Sequence, residues 1–339
     1  MPRHVLAGDI GGTKTNLAVF AFGAPNDLSL VREATFPSKE HGSLDEIVRE
    51  FLTRGGEKIE AGAFGIAGPV AGDIVAPTNL PWKDVVAGDI ARAIGCRRVR
   101  LMNDLATTGY GARFLPADQI HVLNEGKRQD GHIAVIAAGT GLGQAMLFWD
   151  GSRHQPSSTE GGHVDFAPRD EIEIELLRFL MQRFARVTYE RVLSGPGIVN
   201  IFRFLDEGLR KPVAAEVRER MKSEDPGAVI SRAATEGTCG TCMIALDMFI
   251  RIYGAQAGNL ALTLMATGGV YVGGGIITKI LPRVAAPANG GGEDCSFMAA
   301  FKSKQPFANL MSDIPVHIIL NPKASLIGAA HAAAELCEG

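Results

Sequence analysis

The stretch Leu6–Phe20, LAGDIGGTKTNLAVF, limits what this chain can fold into more than any other. An apolar run reaches Asp9, a tight turn passes through Gly11, Gly12 and Thr13, and a second apolar run follows from Thr15. Consecutive glycines reach backbone angles closed to other residues, so successive N–H groups can converge on one anion. Thr13 adds a hydroxyl and Lys14 a charge at the same bend. Asp9 ends the first strand where a carboxylate can face a phosphate-bound Mg²⁺. The pattern predicts a phosphate-binding hairpin, not a Walker A loop, because no G-x-x-x-x-G-K-[ST] occurs in the chain. A glycine hairpin without a ligand is the competing reading of this stretch alone.

The order starts again in the middle. His132–Ala138 is an apolar run of strand length, Gly139-Thr140-Gly141-Leu142-Gly143 is a turn, and Gln144–Trp149 is a second strand. Strand, Gly/Thr turn and strand, twice, predict two similar α/β domains that each contribute a phosphate turn to a ligand between them. Around the first unit, a helix is predicted from Ser43, with Glu46 at capping-box spacing. Ala61–Ala67 reads as a strand covered on both faces, and Val99–Met102 as another after a helix over Val86–Ile94. The second half reads as helical over Glu171–Phe184, Pro196–Leu205, Pro212–Met221, Ala228–Glu236 and Cys239–Met265. Strand Val270–Val272 then leads into Gly273-Gly274-Gly275, where a flat ligand can approach the backbone closely. Ala285–Asp294 reads as a surface loop and Ala324–Leu336 as a closing helix.

A net charge of −3 over 339 residues leaves no basic footprint for nucleic acid or a membrane surface. No uninterrupted apolar run is long enough for a membrane span, and the N-terminus lacks a secretory pattern. Five cysteines, an odd number in a long chain, argue against a disulfide framework and for the cytoplasm. Cys239 and Cys242 form a C-x-x-C with no partner pair at zinc spacing, so they read as small hydrophobes opening an apolar helix.

The polar candidates lie at strand ends and glycine turns. Asn103 and Asp104 follow the strand Val99–Met102, at the carboxyl end where ligands collect in open α/β sheets. Asp104 reads equally as a helix cap or as a general base for a substrate hydroxyl. Glu160-Gly161-Gly162-His163 brings a carboxylate and an imidazole together at a turn, a pairing that suits a polyol. Glu190 precedes another Gly/Pro turn and by itself reads as a solvated or capping acid.

With these residues in place, the chain resembles the bacterial glucokinases of the hexokinase/actin-like ATPase superfamily, of the type without a zinc motif. GDIGGTKTNLAV, GIAGPV, TNLPW, LMNDLAT, AAGTGLGQA, EGGHVDFAP, YERVLSGPG and VGGGI occur in order along nearly the whole chain. The resemblance implies an α/β fold of two actin-like, ribonuclease H-like ATPase domains with mixed sheets flanking a deep cleft. The small domain would be 1–110 plus 321–339 and the large one 111–320. It implies ATP-dependent phosphorylation of glucose with Asp104 as catalytic base. Asn103, Glu160, His163 and Glu190 match sugar-hydroxyl ligands, and Asn79 lies in a stretch lining the sugar site. Asp9, Gly11, Gly12, Thr13 and Lys14, with Gly139, Thr140 and Gly141, match the two phosphate turns. Gly273, Gly274 and Gly275 match adenosine-side glycines. Mg²⁺ held by Asp9 through water, a homodimer and a cytoplasmic location are also implied. Asp165-Phe166-Ala167 stand where zinc-binding relatives carry cysteines, so no zinc is expected. A kinase for another hexose or N-acetylhexosamine, and a non-catalytic sugar sensor, are the competing functions.

Overall fold

The computed structural model describes residues 3–23, 27–287 and 296–338, so the predicted loop Ala285–Asp294 lies outside the described residues from 288 onward. The chain divides into two compact units. Unit 1 is Met1–Ile120, Ala145–Ser158 and Asn321–Gly339; unit 2 is His121–Gln144 and Thr159–Leu320.

Unit 1 opens with β1 (Arg3–Ile10), β2 (Lys14–Phe22) and β3 (Leu28–Pro37), then α1 (Leu44–Leu52) and β4 (Ile59–Ile66). Three two-residue strands, β5 (Val70–Ala71), β6 (Ile74–Val75) and β7 (Val85–Val86), form a small separate sheet. The helix α2 (Ala87–Ile94), β8 (Arg98–Asn103) and α3 (Asp104–Ala112) follow. The main sheet has the order β3-β2-β1-β4-β8. The pairs β1–β2 and β2–β3 are antiparallel, whereas β1–β4 and β4–β8 are parallel. Central strands β1 and β4 are covered on both faces, which explains their unbroken apolar runs. One face packs on α1 and α2 through Leu6, Ile10, Leu17, Ile47, Phe51 and Ile90.

The α1 start matches its sequence signal with one change. Ser43 Oγ accepts the Glu46 N–H at 3.4 Å, but the Glu46 carboxylate reaches back to the N–H of Gly42, at 2.7 Å, not to that of Ser43. Two otherwise unpaired donors are satisfied either way.

The second sheet has the order β12-β11-β10-β13-β14-β9, built from β9 (Ile120–Asn124), β10 (Ile133–Ala138), β11 (Leu142–Trp149), β12 (His154–Thr159), β13 (Gly269–Gly273) and β14 (Val316–Ile319); β10, β13 and β14 belong to unit 2, and most of β11 and β12 falls in the Ala145–Ser158 stretch of unit 1. Its first five positions repeat the strand order of the first sheet, and β10–β13 and β13–β14 are parallel, like β1–β4 and β4–β8. The duplicated turn in the sequence is therefore a duplicated topology. The helices are α4 (Glu171–Met181), α5 (Gly195–Arg203), α6 (Ala215–Arg220), α7 (Pro226–Thr235) and α8 (Gly240–Leu264). After them come α9 (Gly275–Lys279), α10 (Leu281–Val284), α11 (Ser296–Lys302), α12 (Ala308–Asp313) and, back in unit 1, α13 (Ala324–Glu335). The helix predicted from Pro212 starts at Ala215, and the one predicted to Phe184 stops at Met181.

The long helix α8 is apolar nearly all round and lies in the core of unit 2. Cys239 and Cys242 are buried in that core as free thiols, which is the packing role read from the sequence. In unit 1, α3 and α13 pack backbone to backbone. A Cβ on Gly111 would stand 1.9 Å from the Ala324 carbonyl oxygen, and one on Gly328 would stand 2.0 Å from that of Thr107. Only glycine permits that approach. Among the described residues, no helix is long and apolar enough to cross a membrane.

Candidate active site

In unit 1 the turn between β1 and β2 is clamped from inside. The Gly11 N–H donates to the Lys14 carbonyl at 3.0 Å, and Ser38 ties both sides of the bend through Ser38 Oγ to Gly11 O (2.8 Å) and Ser38 N to Thr13 O (3.0 Å). The Gly11 amide is thus committed within the protein, against the expectation that it faces an anion. Gly12 lies against Asn79: a Cβ there would come within 3.0 Å of the Asn79 Cβ. Asn79 has φ of 65°, the left-handed region that asparagine tolerates best after glycine. A residue proposed for the sugar side therefore borders the phosphate turn.

Asp9 sits at the end of β1, opposite Asn16, whose Nδ2 donates to Asp9 Oδ2 at 3.3 Å. Burial raises its pKa above the ordinary carboxylate value; Asn16 and the neighbouring Ser325 hydroxyl work in the opposite direction. Ser325 Oγ makes no hydrogen bond of ordinary geometry.

At the end of β8, Asn103 is the N-cap of α3. Its Oδ1 accepts the N–H groups of Leu105 (3.0 Å) and Ala106 (3.2 Å), and its Nδ2 donates to Gly68 O at 3.3 Å. The amide also hydrogen-bonds the Asp104 carboxylate, which works against the rise in that acid's pKa. With Asn103 as the cap, Asp104 is the first helical residue, and its Oδ1 accepts the Leu105 N–H at 2.9 Å. Burial raises the Asp104 pKa most, and the negative charge of Asp9 raises it further. Two half-buried acids thus raise the cost of each other's ionisation.

Unit 2 repeats the committed first glycine. The Gly139 N–H donates to Gly141 O and the Gly139 carbonyl accepts the Gly195 N–H, both at 2.8 Å. Thr140 is exposed at the tip. Tyr253, buried in α8, accepts the Ala138 N–H at 3.0 Å, and its oxygen lies 3.3 Å from the carbonyls of Ile136 and Gly273. The same side chain therefore secures the ends of β10 and β13, where the two glycine turns begin. Gly274, at φ 93°, leaves no room for a Cβ, which would stand 2.3 Å from Ala138 O. Gly273 is buried and Gly275 is open to solvent.

Glu160, His163 and Glu190 come together in unit 2. Glu190 Oε2 accepts the Leu142 N–H at 3.0 Å, so this acid secures the glycine turn instead of standing in solvent. Its other oxygen is 4.0 Å from His163 Nδ1. Gly161 and Gly162 fold tightly onto β11: a Cβ on Gly162 would lie 1.9 Å from Leu142 O. That contact leaves Glu160 and His163 exposed on either side of the pair. A carboxylate, an imidazole and a second carboxylate on one surface can each accept a hydroxyl proton, and the imidazole can also donate.

A glucokinase family model matches residues 6–336. The chain belongs to the glucokinase family. A glucokinase of Nostoc sp. is 40% identical over 348 residues, covering 98% of this chain and 99% of the relative. Among solved structures, a glucokinase from an Antarctic psychrotroph superposes with a TM-score of 0.81 at 29% identity, covering 98% of this chain and 99% of that one. A glucokinase of Streptomyces griseus, solved with glucose and AMPPNP, shares the fold (TM-score 0.60, 20% identity, 98% and 99% covered). The fold is thus the actin-like ATPase fold of the glucokinase family, whose members are ATP-dependent sugar kinases.

The donors present fit a Mg²⁺ ion carried by a nucleotide. Asp9 is a half-buried oxygen donor near the negative charge of Asp104, a repulsion that a cation would relieve, and Mg²⁺ commonly takes one or two carboxylates with the rest of its shell from phosphate and water.

Proposed function

We propose that this chain transfers the γ-phosphoryl group of ATP to the 6-hydroxyl of glucose, with Asp104 taking the hydroxyl proton. The state of Asp104 carries the reading. The Leu105 N–H at the start of α3 and the Asn103 side chain hold its carboxylate in place. Its raised pKa makes it a better proton acceptor than an ordinary aspartate.

The remaining roles follow from the donors and acceptors available. Glu160, His163, Glu190 and Asn103 orient sugar hydroxyls. Held in this way, the 6-hydroxyl attacks in an effectively intramolecular step. The turns at Gly11–Lys14 and Gly139–Gly141 receive the phosphates, and Gly273–Gly275 the adenosine side. Asn79 borders the first turn and keeps Gly12 in place. Mg²⁺, held by Asp9 through water, supplies positive charge against the phosphate oxygens when bound. Because the transferring group needs little covalent help, position and electrostatics dominate. The chain is proposed to act in the cytoplasm as a homodimer, a reading supported by its cysteine usage and its family.

Coupled ADP release and glucose calorimetry test the assignment together. Asp104→Ala is expected to lose about 10²–10⁴-fold in turnover while still binding glucose. Glu160→Gln is expected to raise the glucose KM. Near-normal turnover of Asp104→Ala would remove it as the base, and an unchanged KM in Glu160→Gln would remove that residue from the sugar site.

A further inference from the structure

Behind the sugar-binding surface of unit 2 lies a partly buried polar chain that the reaction does not use. The segment carrying Glu160 and His163 is joined to the segment carrying Glu190 by a short ladder. Tyr189 N–H donates to Val164 O and Phe166 N–H donates to Val187 O, both at 3.0 Å, with Asp165 bridged to Thr188 between them. This ladder sets the approach of His163 to Glu190.

Tyr189, next to Glu190, turns its side chain the other way, into the core. Its ring meets Phe166 edge-on at 5.6 Å, which packs one rung of the ladder against the next. Its hydroxyl accepts from Asn259 Nδ2 of α8 at 3.1 Å. The second N–H of the Asn259 amide faces Gln256 Oε1 at 3.0 Å, and its Oδ1 accepts from Lys304 Nζ at 2.8 Å. An ammonium can only donate, so Lys304 dictates which way the Asn259 amide points and hence what Tyr189 receives.

Such groups are costly to bury and are normally kept only when fully satisfied. Lys304 is half-buried, and burial lowers its pKa, as does nearby Arg169. Glu173, fully buried in α4, offsets part of that cost and also grips Arg169 through its N–H (2.9 Å) and guanidinium (2.5 Å). The chain Lys304–Asn259–Tyr189 thus ends on the residue that holds the two sugar-binding segments in register.

We propose that Tyr189, Asn259 and Lys304 are positioning residues for sugar recognition: they fix the spacing between the Glu160–His163 turn and Glu190, and so set which hexose hydroxyls the surface accepts. The proposal rests on the sugar-site reading above, and the experiment separates the two. Tyr189→Phe, Asn259→Leu and Lys304→Met are assayed with glucose, mannose and galactose beside Glu190→Gln. Each of the three is expected to raise the glucose KM about three- to tenfold, the scale of one lost or misdirected hydrogen bond, with turnover and the ATP KM little changed. The glucose-to-mannose ratio of kcat/KM is expected to fall with them. Lys304→Arg, which keeps a donor, is expected to recover part of the loss. If Tyr189→Phe and Asn259→Leu keep the parent glucose KM and lose only melting temperature, the chain is packing and the proposal fails. If Glu190→Gln also leaves that KM unchanged, the sugar-site reading fails with it. Tyr189→Phe removes a single oxygen, so it reports on the proposal even where Asn259→Leu does not fold.

Discussion

Gly328→Ala tests the contact that joins α3 to α13. A Cβ at Gly328 would lie 2.0 Å from the Thr107 carbonyl oxygen and 2.7 Å from the Gly111 nitrogen. Both obstacles are backbone, so no side chain can swing aside. Reaching even 3.0 Å from the Thr107 oxygen requires the helices to part by about 1 Å, well over the tolerance of a close-packed interior. Overpacking of this kind costs about 1–3 kcal/mol, whereas alanine gains up to about 1 kcal/mol over glycine inside a helix. The packing term wins. Thermal melting of the variant is expected to fall by about 2–4 °C for each kcal/mol lost. Gly240→Ala is the control, since a Cβ at that first position of α8 meets nothing within 4 Å; it is expected to melt at or slightly above the parent temperature. Gly328→Ala melting at or above the parent temperature would mean that helix propensity outweighs the clash, and the argument for a backbone-to-backbone seam would be wrong.

Two further outcomes follow from the site. In Gly141→Ala the new Cβ would stand 2.5 Å from Glu190 Oε2, so the carboxylate must leave the Leu142 N–H; an increase in glucose KM of about three- to tenfold is expected, and an unchanged KM would show that Glu190 relaxes without consequence. For pH, a base must be ionised to act, and burial together with Asp9 raises the Asp104 pKa. The acid limb of kcat/KM, which reports the free enzyme, is therefore expected above the ordinary aspartate value of 3.8, with circular dichroism checking that the fold persists; a limb at or below that value would refute the environment assigned to Asp104.

The sequence showed most clearly what local patterns encode. Apolar runs broken by glycine and threonine marked both β-turn-β units, and Ser43 marked the start of α1. The duplicated turn even anticipated the duplicated strand order. The exposed strand read over Ser29–Phe36 is β3, but the shortest strands and β12 were not legible. The segment β12, HQPSST, has no apolar alternation, and β5, β6 and β7 are two residues each, below any useful period. The Gly111–Gly328 seam was equally silent, because partners more than two hundred positions apart leave no mark on each other's neighbourhood. At the site, residue types pointed to the right surfaces but not to their second duties. Glu190 read as a solvated acid because its partner, the Leu142 N–H, is a backbone group 48 residues away. The cap that the sequence reading weighed for Asp104 falls to Asn103, since its amide supplies both an acceptor for the helix start and a donor to Gly68. Nothing near Tyr189 announces Asn259, 70 residues away, or Lys304 beyond it.

Unit 1 is assembled from three separated stretches, and α13 covers β1, β4 and α3 from a position some two hundred residues downstream of α3. A nascent chain that has emerged only as far as the end of unit 2 must therefore carry that face of its first sheet bare, with Ala63, Gly65 and the Gly111 seam exposed to other molecules. Unit 2, whose strands and helices are all present by Leu320, can close first. Synthesis thus leaves the acid-bearing half waiting for its cover, and a chain cut short before Ala324 would present an adhesive sheet to chaperones and proteases rather than a slow enzyme.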